Sequence, residues 1–177
     1  MMTVDPIPGL IVTLLIAGLF LYSGLHKLRN QTAFRAVLSD YGVKKLMLIP
    51  AALLMTSAEI IIAVTVVMLM ITNNKFGMVS GIILLGFYTL LVTYYHMTGR
   101  RIGCCCNFGA DEGIISPWHL IRNLLLLTAS SLYLLPQSGR LLTWLDYTTA
   151  IFAVAMIAIA SVITEKLNAN SQYGGKV

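Results

Sequence analysis

Three cysteines stand side by side, Cys104, Cys105 and Cys106, and the 177 residues contain no others. Thiolates exchange disulfides and bind soft metals, so one spot holds all of this chain's thiol chemistry. Arg100 and Arg101 lie just upstream and favour the nucleophilic thiolate. Other groups able to support such chemistry are Ser23, His26, Lys27, Glu59, His96, Arg122 and Asn123.

These residues need elements to hold them, and composition says which kind. Hydrophobic residues make up 58 % and charged residues 11 %, whereas soluble domains carry about 25 % charged residues. The chain therefore reads as an all-α, polytopic membrane helix bundle in contact with the lipid bilayer. The net charge of +5 is spread too thinly for a nucleic-acid surface.

Five apolar runs, at about 7–25, 46–71, 77–97, 117–135 and 141–163, are read as membrane spans. Each is near the ~20 residues that cross ~30 Å of hydrocarbon. Together they make one transmembrane domain over residues 1–163, followed by a tail, 164–177, expected to be flexible. The N-terminus lacks the basic stretch of a signal peptide, so no cleavage is expected. Gly77 and Gly81 form a GxxxG pattern, a helix-packing signal.

The cysteines fall in the polar segment from Gly99 to Ser116, between the third and fourth runs. The segment from His26 to Lys45 carries Phe34, Val37, Leu38 and Tyr41 at helical spacing, which predicts a short amphipathic helix. It also carries Lys27, Arg29, Arg35, Lys44 and Lys45. With Arg100, Arg101, Lys166 and Lys176, one side holds nine basic residues, against Lys75 and Arg140 on the other. The positive-inside rule places that side, and the cysteines, in the cytoplasm. The membrane is expected to be a prokaryotic-type plasma (inner) membrane.

Ionisable groups within spans are rare and mark function or a structural pair. Glu59, near the middle of the second run, is either protonated or paired. It reads as a proton carrier or quinone-site residue, or as a lock between helices. Lys27 ends the first run and His96 the third, while Arg122 and Asn123 enter the fourth. Span order brings them to the cysteine side. Lys27 and Arg122 have the alternative of snorkelling to the interface, and Tyr94, Tyr95 and Trp118 of being belt residues.

Ser23-Gly24-Leu25-His26-Lys27-Leu28-Arg29, then Phe34, Tyr41 and Glu59, resembles the opening of DoxX-like membrane proteins. Gly99-Arg100-Arg101, the cysteine cluster, Phe108-Gly109 and Ile121-Arg122-Asn123 resemble the methylamine-utilisation MauE group among them. The resemblance covers about residues 10–160 and implies a DoxX-like four-helix core plus a fifth transmembrane helix. It also implies a redox-associated protein that helps mature disulfide-rich periplasmic proteins beside a thioredoxin-like partner. Cys104 and Cys106 match the group's Cys-Gly-Cys. Cys105 replaces the glycine, which leaves the reactive pairing open. The implied periplasmic task and the cytoplasmic charge count point to opposite sides.

The cysteines can also be weighed on their own chemistry. A disulfide between neighbours two apart closes a small strained ring, and strained disulfides are labile rather than structural. Adjacent cysteines would strain the peptide further, so Cys104 with Cys106 is the favoured pair. One pair and a spare cannot relay electrons between two thiol pairs, so a partner is needed: a thioredoxin-like protein, a quinone or another membrane subunit. The leading expectation is thus a thiol–disulfide oxidoreductase that needs no resident cofactor. Two others compete: a Cu(I) or Zn(II) site using the cysteines with His96 or His26, and a non-catalytic anchor with inert or palmitoylated cysteines.

Overall fold

The computed structural model describes residues 5–71, 75–98, 117–136 and 138–174. Among them are six α-helices, one 3-10 turn at Lys45–Met47 and no strand. They are α1 (Pro6–Arg29), α2 (Gln31–Asp40), α3 (Leu48–Ile71), α4 (Phe76–Met97), α5 (Pro117–Tyr133) and α6 (Trp144–Gly174). Segments at Pro6–Arg29, Lys45–Met68, Phe76–Met97 and Trp144–Leu167 are each long and apolar enough to cross a membrane. At 17 residues α5 is shorter. The protein is an all-α membrane helix bundle.

Local chemistry sets the helix ends. The Asp5 carboxylate accepts from the Ile7 N–H at 3.0 Å, and Pro6 occupies the first turn of α1, where a missing N–H costs nothing. The α2 helix ends in a Schellman turn. Val43 N–H reaches Leu38 C=O at 3.1 Å and Gly42 N–H reaches Ser39 C=O at 2.9 Å. Gly42 has φ of 85°, which glycine adopts without a Cβ clash. That turn folds α2 back, burying Phe34 and Leu38 against Ala52 of α3. At the start of α6, Thr143 and Asp146 form a capping box. The Asp146 carboxylate accepts from the Thr143 N–H at 2.7 Å and from its hydroxyl at 2.8 Å. The helix therefore begins at Trp144, three residues after the apolar run starts.

The core is built on α1. Ile16 and Phe20 of α1 meet Ala63 and Val66 of α3 and Met78 and Leu85 of α4. The most extensive helix pair is α1 with α3; α4 packs between α3 and α5, and α6 packs chiefly on α1. Two glycines allow the close approaches. A Cβ on Gly77 would lie 2.9 Å from the Thr65 carbonyl oxygen, and one on Gly24 would lie 2.8 Å from Ile60 Cγ1. Gly77 thus brings α4 against the α3 backbone, the role expected of the GxxxG pattern. Gly24 sits one turn before Lys27 and lets α3 press against that end of α1.

Much of the last third of the chain is taken up by α6. Half of the apolar stretch of α1 is buried, against 6 % of that of α6, so α6 is a peripheral helix. The residues from 164 onward, expected to be a flexible tail, continue α6 to Gly174. No proline or glycine interrupts that stretch, and Glu165 within it is buried at 4 % exposure.

Candidate functional site

The centre of the bundle holds an ion pair. Lys27, in the last turn of α1, pairs with Glu59 of α3, and their side chains are 2 % and 0 % exposed. The Tyr88 hydroxyl, from α4, donates to the same carboxylate oxygen. The Lys27 ammonium lies 3.5 Å from that hydroxyl. It also sits 4.9 Å from the centre of the Tyr88 ring and 5.1 Å from that of Phe34 on α2. Three helices, α2, α3 and α4, thus surround one ammonium group of α1 with a carboxylate, a phenol and two π faces. The position is helped by the end of α1, where the negative pole of the helix favours a cation.

Burying such a pair is expensive, and the desolvation is offset only by close geometry and further hydrogen bonds. The arrangement around Lys27 supplies both. Glu59 is thus paired, and Lys27 reaches inward instead of snorkelling.

A second buried pair joins the start of α5 to α6. Arg122, in the second turn of α5, donates to Glu165 of α6 at 2.6 Å, with side chains 8 % and 2 % exposed. Asn123 follows it and is buried, and so is His119 one turn earlier. Between the two pairs lies a cavity of about 280 Å³. Its polar lining is Ser23, Lys27, Tyr88, His119, Arg122 and Asn123; the rest is aliphatic and aromatic. The lining comes from the last three turns of α1, Met55 of α3, the second half of α4 from Leu85 onward and the first two turns of α5, with α2 closing over them.

The structure therefore gathers Lys27, Arg122 and Asn123 around one space, with Glu59 reached through Lys27 and Tyr88. His96 is exposed in the last turn of α4 and does not line the cavity; its neighbour Tyr95 does. His26 is half-buried and stacks on Tyr22 at 6.2 Å. Arg100, Arg101, Cys104, Cys105 and Cys106 lie outside the described residues. Among the described residues no three His, Cys, Asp or Glu side chains converge as metal ligands.

Three participants escaped the sequence reading. Tyr88 looks like any tyrosine of an apolar helix, and His119 stands in a mixed stretch without a motif. Glu165 had a signal: it ends the last apolar run on the side where Arg122 begins its own.

Comparison with protein families adds a further finding. The family model described as "Methylamine utilisation protein MauE" matches residues 5–136. The chain belongs to the MauE family. The MauE match runs from the cap of α1 to just beyond α5 and takes in Lys27, Glu59, Tyr88, the three cysteines, Arg122 and Asn123. It stops short of α6, so Glu165, the partner of Arg122, lies outside the matched region. Comparisons with curated proteins and with solved structures find no match. This MauE-family chain is a multi-pass membrane protein.

Proposed function

We propose that this chain is a membrane thiol–disulfide redox protein that works through Cys104 and Cys106 with a thioredoxin-like partner, in the maturation of disulfide-bearing proteins. The family's description, methylamine utilisation, supports proteins of that process as its clients. One observation carries the reading. All three cysteines fall within the family match, in the stretch joining α4 to α5, and the start of α5 supplies His119, Arg122 and Asn123 to the cavity's polar lining.

The exchange is a balanced two-electron transfer. A thiolate of the partner attacks one sulfur of the Cys104–Cys106 disulfide, forming a mixed disulfide and releasing the other cysteine as thiolate. The partner's second thiolate then attacks the mixed bond, so the partner leaves as a disulfide and the pair remains as a dithiol. Arg100 and Arg101 favour the thiolate that the pair releases. Glu59, hydrogen-bonded to Tyr88 and paired with Lys27, is a group able to hold a proton inside the bundle.

Replacing Cys104 or Cys106 by Ser should abolish cycling and prolong a mixed disulfide with the partner, while Cys105→Ser should cycle normally. Full activity of both single variants with no trapped adduct would leave a non-catalytic membrane anchor in its place. Stoichiometric copper or zinc on the purified protein, with no thiol exchange, would replace it with metal binding.

A further inference from the structure

The cavity between the two ion pairs has a chemistry that selects its occupant. Both cations on its wall are already matched, Lys27 by Glu59 and Arg122 by Glu165. An anionic head, such as a fatty acid or a lipid phosphate, would have to displace a buried carboxylate to gain a cation. The site thus favours a neutral head group.

It also holds an unfilled acceptor. Asn123 is 5 % exposed, lines the cavity, and its Oδ1 has no hydrogen-bond partner among the described residues. Buried acceptors are nearly always satisfied, so one facing a cavity points to a donor supplied by a ligand. An amide also carries N–H donors, so the same side chain suits a hydroxyl or a carbonyl.

Size and access narrow the choice. A space of about 280 Å³ accepts one substituted ring but no long chain. Phe87 lines the cavity and is 51 % exposed on α4, which marks where the space reaches the lipid-facing surface and where a tail would leave. A neutral head that alternates between carbonyl and hydroxyl, on a lipid tail, is an isoprenoid quinone.

We propose that this cavity binds the ring of an isoprenoid quinone, with Asn123 bonding its oxygen and the tail leaving past Phe87. The assignment rests on the redox reading above and deepens it by naming the electron acceptor. Two thiols and one quinone give one disulfide and one hydroquinone. Two S–H bonds break, one S–S bond forms, and two electrons and two protons pass to the quinone oxygens.

The test uses the full chain in nanodiscs free of quinone, with decylubiquinone as the probe and a photoreactive quinone analogue for mapping. Saturable binding is expected, with cross-links on α4 and α5. Asn123→Leu should weaken binding at least tenfold while thermal stability is kept, because the variant removes an unsatisfied group. Leu90→Ala, on the exposed face of α4, should leave binding unchanged. Unchanged affinity in Asn123→Leu, or equal displacement of the probe by oleate or diacylglycerol, overturns the proposal. Failure of binding while the cysteines still exchange with the partner defeats the quinone assignment alone. Tight binding in a chain whose cysteines never exchange upholds the quinone site and defeats the redox reading.

Discussion

The Arg122 guanidinium lies 2.6 Å from the Glu165 carboxylate, and this contact joins α5 to a helix that otherwise packs chiefly on α1. Glu165→Gln should leave Arg122 charged, buried and poorly compensated, at a cost of about 3–5 kcal/mol. Arg122→Gln should cost a similar amount, and the double variant less than the sum. Thermal unfolding in nanodiscs, read as a double-mutant cycle, checks this. Additive single effects would show that the pair does not couple α5 to α6.

The Lys27–Glu59 pair should behave asymmetrically. Glu59→Gln leaves an ammonium in an apolar core and should destabilise by about 3–5 kcal/mol, whereas Lys27→Met leaves a carboxyl that can take up a proton and become neutral. The expected order is therefore Glu59→Gln worse than Lys27→Met, with the Lys27→Met, Glu59→Leu double variant recovering most of the loss. Chemical unfolding at neutral pH ranks the three.

Glycine substitutions separate close approaches from open positions. Gly77→Ala places a Cβ 2.9 Å from backbone oxygen and should destabilise by about 1–3 kcal/mol, since α3 and α4 must move apart. Gly18→Ala and Gly86→Ala meet nothing within 4 Å and should be neutral or slightly stabilising. Melting temperatures of the three variants in one detergent give the comparison.

Basic residues predict sidedness. A membrane-impermeant maleimide should label Cys104–Cys106 only after the cells are opened, because the five-span reading assigns nine of the twelve Lys and Arg to the cysteine side. Labelling in intact cells after reduction would move the cysteines outside. Lys27, buried with Glu59, would then be a residue that should never have been counted in the loop charge.

How much of this was legible in the sequence can be read residue by residue. Lys27, Glu59, Arg122 and Asn123 stood out because polar groups within apolar runs are rare, and span parity alone put three of them at one end. The amphipathic α2 followed from the spacing of Phe34 and Leu38. What escaped was pairing. Glu59 was read as protonated or paired without a named partner, because Lys27 is 32 residues away and no local pattern links them. Tyr88 is invisible for the same reason, since a tyrosine in a span carries no mark of which way it faces. The run of α6 to Gly174 carries a weaker mark in the sequence: Gly174-Gly175 and polar residues suggest fraying, whereas the buried Glu165 and the lack of proline or glycine before Gly174 favour continuation.

The order of the two central charges along the chain bears on how the protein enters its membrane. A carboxylate near mid-span raises the cost of inserting α3 alone by about 2.5–3.5 kcal/mol. Its counter-ion, Lys27, belongs to an earlier segment, so the cation has already been synthesised when Glu59 leaves the ribosome. Insertion of α3 is then cheapest beside an α1 still held at the translocon, which makes the first and third helices a single biogenetic unit.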